Sequence, residues 1–181
     1  MKAREFDPRR LDVRAFAKDA GELAGHWPLA GFERLRDLLA AADGTPPTGL
    51  VQWSARGDEV PVRGAAAQVW LHLVAGADLP LVCQRCLQPM VEPLAIERRF
   101  QFVADEAAAA ALDAEAEHDV LVFARELDLH ALLEDELLLE LPLVPRHASC
   151  PEPLPALVRD EAELPVENPF AALAALRRGQ G

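Results

Sequence analysis

Positive charge is scarce in this chain of 181 residues, where 18 lysines and arginines face 30 aspartates and glutamates for a net charge of −12. Direct nucleic-acid binding ordinarily needs a basic face that displaces phosphate counterions, so the chain as a whole is a poor electrostatic match for RNA. Cysteine is scarce too. Three residues argue against a disulfide framework and leave metal binding, redox chemistry or inert thiols. No stretch reaches the ~18 uncharged apolar residues of a membrane helix, and the longest candidate, residues 127–141, is broken by acids from Asp128 onward. The opening MKAREFDPRR has charges and no apolar run, so no secretory signal is expected and a cytoplasmic location is. A glycine-rich phosphate loop, a nucleophile elbow and a His-Glu-x-x-His motif are all missing, so nothing in the sequence points to an enzyme.

What is present is a globular composition, 51% apolar and 27% charged, long enough to bury a core. The acidity sits in one block. Residues 104–163 hold 16 acids against 3 arginines, while the remainder is close to neutral and its first residues, from Lys2 to Lys18, are locally basic. That N-terminal basic stretch reads first as a solvated helix surface.

Asp12 caps a predicted helix through Val13, Phe16 and Ala20 that ends at Gly21 or Gly25, and a second helix is expected over residues 32–42. GTPPTG at 44–49 is a break. From Leu50 the period becomes two, giving a strand that the turn signal RGDE ends, a second strand around Val69–Val74, a third leading into Cys83 and a fourth over residues 91–103. Residues 104–119, acidic and alanine-rich, read as a loop, and DVLVFA at 119–124 reads as a short strand. Asp128 caps a helix from Leu129 to about Leu141, with Leu129, Leu132, Leu133 and Leu137 inward and Glu134, Asp135 and Glu136 outward. Glu136 and Glu140 share a face and offer a docking surface for a basic partner, against the plainer reading of a solvated face. Asn168 and Pro169 open a C-terminal helix after a stretch rich in proline. The expected architecture is α+β: an antiparallel β meander or partly open barrel with an N-terminal helical segment, a central acidic helix and a C-terminal helix. Residues 1–150 form one domain, and 151–181 a linker and helix.

The strongest chemical signal is the placement of the cysteines. Cys83 and Cys86 make a CxxC, and His147 and Cys150 make an HxxC, both chelate spacings that a tetrahedral zinc accepts. Together they would form a closed four-ligand structural site. A thioredoxin-like reading needs a helix to open at the CxxC, and Leu87, Gln88 and Pro89 are followed instead by more strand. Zinc, inert thiols and redox catalysis all stay open on spacing alone. His26, His72, His118 and His130 have no partner at chelate spacing.

Three stretches, LVCQRCLQPM (81–90), LLEDELLLELPLVPRH (132–147) and ENPFAALAALRR (167–178), together resemble the YceD family of large ribosomal RNA subunit accumulation proteins. The resemblance implies a non-enzymatic role in the synthesis, processing or stability of 23S ribosomal RNA. The implied partner is ribosomal RNA or a pre-ribosomal particle. The acidic 104–163 block would meet a basic protein, and RNA contact would fall to the neutral N-terminal and strand region. Other readings are a thiol-disulfide redox protein using Cys83 and Cys86, or a zinc-stabilised interaction module without a ribosomal role.

Overall fold

The computed structural model describes residues 4–40 and 47–151. Within them one α+β domain is built on a single open sheet of five strands: β1 (Glu22–Pro28), β2 (Leu50–Val60), β3 (Gln68–Val82), β4 (Pro89–Val103) and β5 (Asp119–Val122). They lie in chain order. The first four form an antiparallel meander, while β5 runs parallel to β4. The helices are α1 (Val13–Lys18), α2 (Glu33–Arg36), α3 (Glu106–Asp113) and α4 (Leu129–Glu140). No helix among the described residues is long and apolar enough to cross a membrane. The expected C-terminal helix lies outside the described residues.

Alternation along the strands makes a two-sided sheet. On β2, Val51, Trp53, Ala55 and Gly57 are buried while Gln52, Ser54 and Arg56 are exposed. On β3, Leu71, Leu73, Ala75, Ala77 and Leu79 point inward. Phe16 of α1 and Leu129, Leu133 and Leu137 of α4 belong to the same buried cluster, at 0% exposure each. A period of two thus meets a period of 3.6 across one apolar layer.

The caps at Asp12 and Asp128 form as expected, each accepting from backbone N–H groups in the first turn that follows it. Several other segments differ. The N-terminal third is not wholly helical, because residues 22–28 pair with β2 as an edge strand. The second helix keeps only Glu33–Arg36, preceded by a 3-10 turn at Leu29–Gly31. RGDE is not a turn. It continues β2, and Gly57 is there because a Cβ would stand 2.7 Å from the Phe16 ring and 2.8 Å from the Ala17 backbone. The second and third strands are one strand of 15 residues. The loop expected at 104–119 contains α3, capped by Asp105 through Ala108 N–H. That helix supplies the crossover a parallel β4–β5 pair requires, which is why the meander ends at β4.

The acids on α4 depart furthest from expectation. Glu134 and Glu136 are buried, at 7% and 6% exposure, rather than directed to solvent. Glu134 accepts from the N–H groups of Arg34 and Leu35, at 2.8 and 3.2 Å, and from the Arg34 guanidinium, fastening α2 to α4. Glu136 and Glu140 both take the Arg98 guanidinium of β4, at 3.0 and 2.8 Å. The face offered to a basic partner is therefore occupied from within.

Candidate metal centre

The long β3–β4 hairpin carries the CxxC at its tip. Cys83 follows the last residue of β3, its N–H donates to Gln88 O at 3.0 Å, and its carbonyl accepts from Leu87 N–H at 2.9 Å. Leu87 closes the turn in the left-handed region, φ 59°. The strand after it starts at Pro89, so no helix opens at the CxxC. The second pair comes from the segment that follows α4. Pro142 ends α4, and the following segment docks when Gln84 N–H donates to Pro145 O at 2.8 Å.

Docking brings Cys83, Cys86, His147 and Cys150 together, with their ligand atoms all within 4.8 Å of one another. Cys83 Sγ lies 4.0 Å from Cys150 Sγ, and Cys86 Sγ lies 3.4 Å from His147 Nδ1. Two thiolates on one tetrahedral zinc, at about 2.3 Å each, stand about 3.8 Å apart, so this donor set fits such an ion in type, number and spacing. Cys83 is fully buried and Cys86 nearly so. Burial alone would raise the Cys83 thiol. The N–H groups of Cys86, His147 and Arg85 turn toward the sulfur and outweigh it, holding the pKa at about 5. His147 N–H reaches that sulfur at 3.4 Å. Cys150 moves the other way, pushed up by burial and then by the neighbouring sulfurs of Cys86 and Cys83. Four donors this close together, one of them a thiol that ionises easily, are able to share a cation.

Two neighbours have no signal in the cysteine spacing. Arg85 places Nη1 3.9 Å from Cys150 Sγ, and Gln84 forms the backbone tie to Pro145. The other histidines lie elsewhere. His72 Nε2 is 3.0 Å from Glu97, His118 Nε2 is 2.8 Å from Gln101, and His130 is buried, stacked on Phe32 with centroids 4.1 Å apart. His26 is exposed on β1. Four N-terminal arginines have internal partners: Arg4 pairs with Asp12, Arg9 with Asp128 and Arg10 with Glu126, while Arg14 lies 3.5 Å over the Phe123 ring.

Comparison with known proteins adds the following. A family model described as large ribosomal RNA subunit accumulation protein YceD matches residues 71–177, a span that includes all four donors. A curated relative of that name from Haemophilus influenzae is 38% identical over 106 residues, covering 56% of this chain and 61% of the relative. The match thus spans less than two thirds of that relative's length. No solved structure matches.

Proposed function

The chain belongs to the YceD family, and from that premise we propose that it is a cytoplasmic, non-enzymatic ribosome-biogenesis factor. It supports accumulation of the large ribosomal subunit through the synthesis, processing or stability of 23S ribosomal RNA. The observation that carries this reading is the family match over 71–177, which runs from β3 through the hairpin tip and α4. The chain acts by binding to ribosomal RNA or a pre-ribosomal particle.

One structural zinc held by Cys83, Cys86, His147 and Cys150 belongs to the same proposal. The ion would supply no chemistry at a substrate; four protein donors leave it no open position. Its effect would be to lock the segment after α4 onto the hairpin tip. The convergence of four donors and the absence of a helix at the CxxC support this over a thiol-disulfide enzyme. The lowered Cys83 thiol alone is common to both.

The acidic block retains a partner role on a smaller surface. With Glu134, Asp135, Glu136 and Glu140 paired to Arg34 and Arg98, the exposed acids of the block that make no ion pair among the described residues include those of α3 and the segment up to β5: Glu106, Asp113, Glu115, Glu117 and Asp119. Such a contact would speed and select association more than strengthen it.

Sucrose-gradient profiles of a strain deleted for the gene test the main claim. A deficit of large subunits and of 23S ribosomal RNA, restored by the wild-type chain, is the expected result. Normal large-subunit levels would overturn it.

A further inference from the structure

The sheet face opposite the helices carries a feature that neither the core nor the metal centre explains. Its outward positions include two rows with small or polar side chains, Gln52, Gly76 and Ala95 across β2, β3 and β4, and Ala24 and Ser54 across β1 and β2, the latter continuing to Val74 and Glu97. At one end they give way to Trp70, a half-buried tryptophan on the wet side of β3. The other two tryptophans, Trp27 and Trp53, stack on each other at 4.3 Å and pack with the core.

Trp70 is not a scattered surface apolar residue. The Arg99 guanidinium of β4 lies 4.9 Å from its ring centroid, and the imidazole of His118, just before β5, lies 4.5 Å from it, tilted by 54°. Gln68 takes its indole N–H at 3.4 Å, and Gln101, its cross-strand partner, bonds His118. One step along the sheet, Arg56, His72 and Arg99 form a row across β2, β3 and β4. Arg99 makes no ion pair among the described residues, whereas Arg56 is paired with Asp58 and His72 with Glu97. Beside this row the small side chains leave shallow hollows of ≈ 420 Å³, lined in part by Ala24, Ser54, Arg56 and His72, and ≈ 580 Å³, bordered by Gln52, Gly76 and Asp78.

A half-buried aromatic ring on the open side of a sheet, with a guanidinium beside it and amides and a hydroxyl along the same face, matches the chemistry of unpaired bases. Bases stack on aromatic rings and arginine planes, and their edges bond to polar side chains. The outward side chains include Arg56 and Arg99 against Glu22, Asp58, Asp78 and Glu97, so the face is not basic and does not suit a duplex bound through dense phosphates. We propose that this face binds single-stranded RNA, with one base stacked on Trp70 and the adjoining phosphates met by Arg99 and Arg56. The inference rests on the ribosomal reading above and deepens it by naming the contact.

Fluorescence anisotropy of labelled single-stranded oligouridylate and oligoadenylate with the full chain tests it. Wild type should bind the single strands and not the matching duplex. With about two phosphates neutralised, the slope of log K against log salt should be shallow, near about −1.4 for a single strand. Trp70→Ala should weaken binding by about tenfold or more, the loss of one base–aromatic stack, and Trp70→Phe should retain most of it. Arg99→Gln, at an exposed position, provides a second variant that leaves the core untouched and should flatten the salt slope by about 0.7. Binding that survives both Trp70→Ala and Arg99→Gln at wild-type strength, equal binding of duplex, or no binding by wild type would each overturn the inference. The ribosomal reading stands or falls separately, on large-subunit levels in the deletion strain.

Discussion

At the hairpin tip, Cys83 and Cys86 meet His147 and Cys150 across separations of 61 to 67 positions, whereas in the middle of α4 Glu134 meets Arg34 and Leu35 across 100 and 99. Both contacts fasten a helical or irregular segment to something distant in the chain, and both bury groups that ionise. They differ in what makes the fastening specific. The tip converges four soft donors on a point, so that one cation would satisfy them all at once. The α4 contact converges donors on one carboxylate, two backbone N–H groups and a guanidinium, and is complete without any added group. A bound ion adds stability by mass action and is lost with the ion; a capped carboxylate depends only on protonation.

The largest effect that separates the two should come from metal. If the tip holds zinc, protein made without chelators should contain one equivalent, and a chelator should lower the thermal midpoint. At a thousandfold excess of free metal over Kd, binding alone stabilises by about 4 kcal/mol. Cys86→Ser should abolish the metal content and leave the midpoint insensitive to chelator. Metal-free wild type of unchanged midpoint would reduce the tip to an arrangement of hydrogen-bonded thiols. Because the two sites share no partner, the stability lost in Glu134 variants relative to wild type should be the same with and without chelator.

A smaller but still large effect should follow Glu134→Ala. Removing that carboxylate strands the buried Leu35 N–H and leaves the Arg34 guanidinium to Asp135 and water; about 3 kcal/mol is expected by urea denaturation, at the lower end for a broken buried pair because Arg34 is half exposed and keeps that second partner. Glu136→Gln, two residues along the same helix, should change stability little. The two carboxyls titrate in opposite directions. Burial works against the charge on Glu134, but Leu35 N–H and Arg34 more than offset it and its pKa is lowered. For Glu136 burial wins over Arg98 and the pKa is raised. Glu134 therefore contributes stability that is present above the unfolded carboxylate pKa of about 4.3 and is lost as pH falls through its lower folded value. Glu136 does the reverse: its charged form is a cost at neutral pH, relieved as pH falls through its raised folded value. Urea midpoints of Glu134→Gln and Glu136→Gln between neutral pH and pH about 3.5 should diverge from wild type with opposite slopes. Parallel slopes would show that the two acids share one environment.

The contrast also explains which parts of the molecule the sequence reveals. A chelate pair such as CxxC is a local pattern whose chemistry is visible in four residues, and the geometry brings its four candidates together. The caps at Asp12 and Asp128 and the leucine stripe of α4 are local as well. Glu134 is different: three adjacent acids on a helix look like a solvated face, and nothing nearby marks one as the cap of a helix a hundred residues earlier. The same holds for Gly57, which belongs to a turn-like tetrapeptide yet serves a close crossing of α1 over β2. α3 is missed because alanine and glutamate without bulky apolar residues give no core stripe, and it buries no residue fully. Its presence follows only from the parallel pairing of β5, a property of the sheet. Trp70 reads as one more strand aromatic until the register shows which side it faces.

The smallest expected effect tests whether burial, rather than sequence separation, gives the α4 contact its strength. Arg10 and Glu126 are 116 positions apart and make a two-pronged ion pair, 2.9 and 2.7 Å, geometrically as good as that of Arg34. The Arg10 hydrogen bond holds the Glu126 carboxyl below its ordinary pKa, but both side chains are open to solvent. Water already solvates each charge, so pairing them gains little, and two flexible side chains must be ordered to do it. Glu126→Gln should therefore shift the urea midpoint far less than Glu134→Ala, and the shift should disappear in about 1 M salt, where the screening length falls to about 3 Å. A loss comparable with that of Glu134→Ala, persisting in salt, would mean that closing a long loop, not desolvating a carboxylate, is what stabilises both contacts.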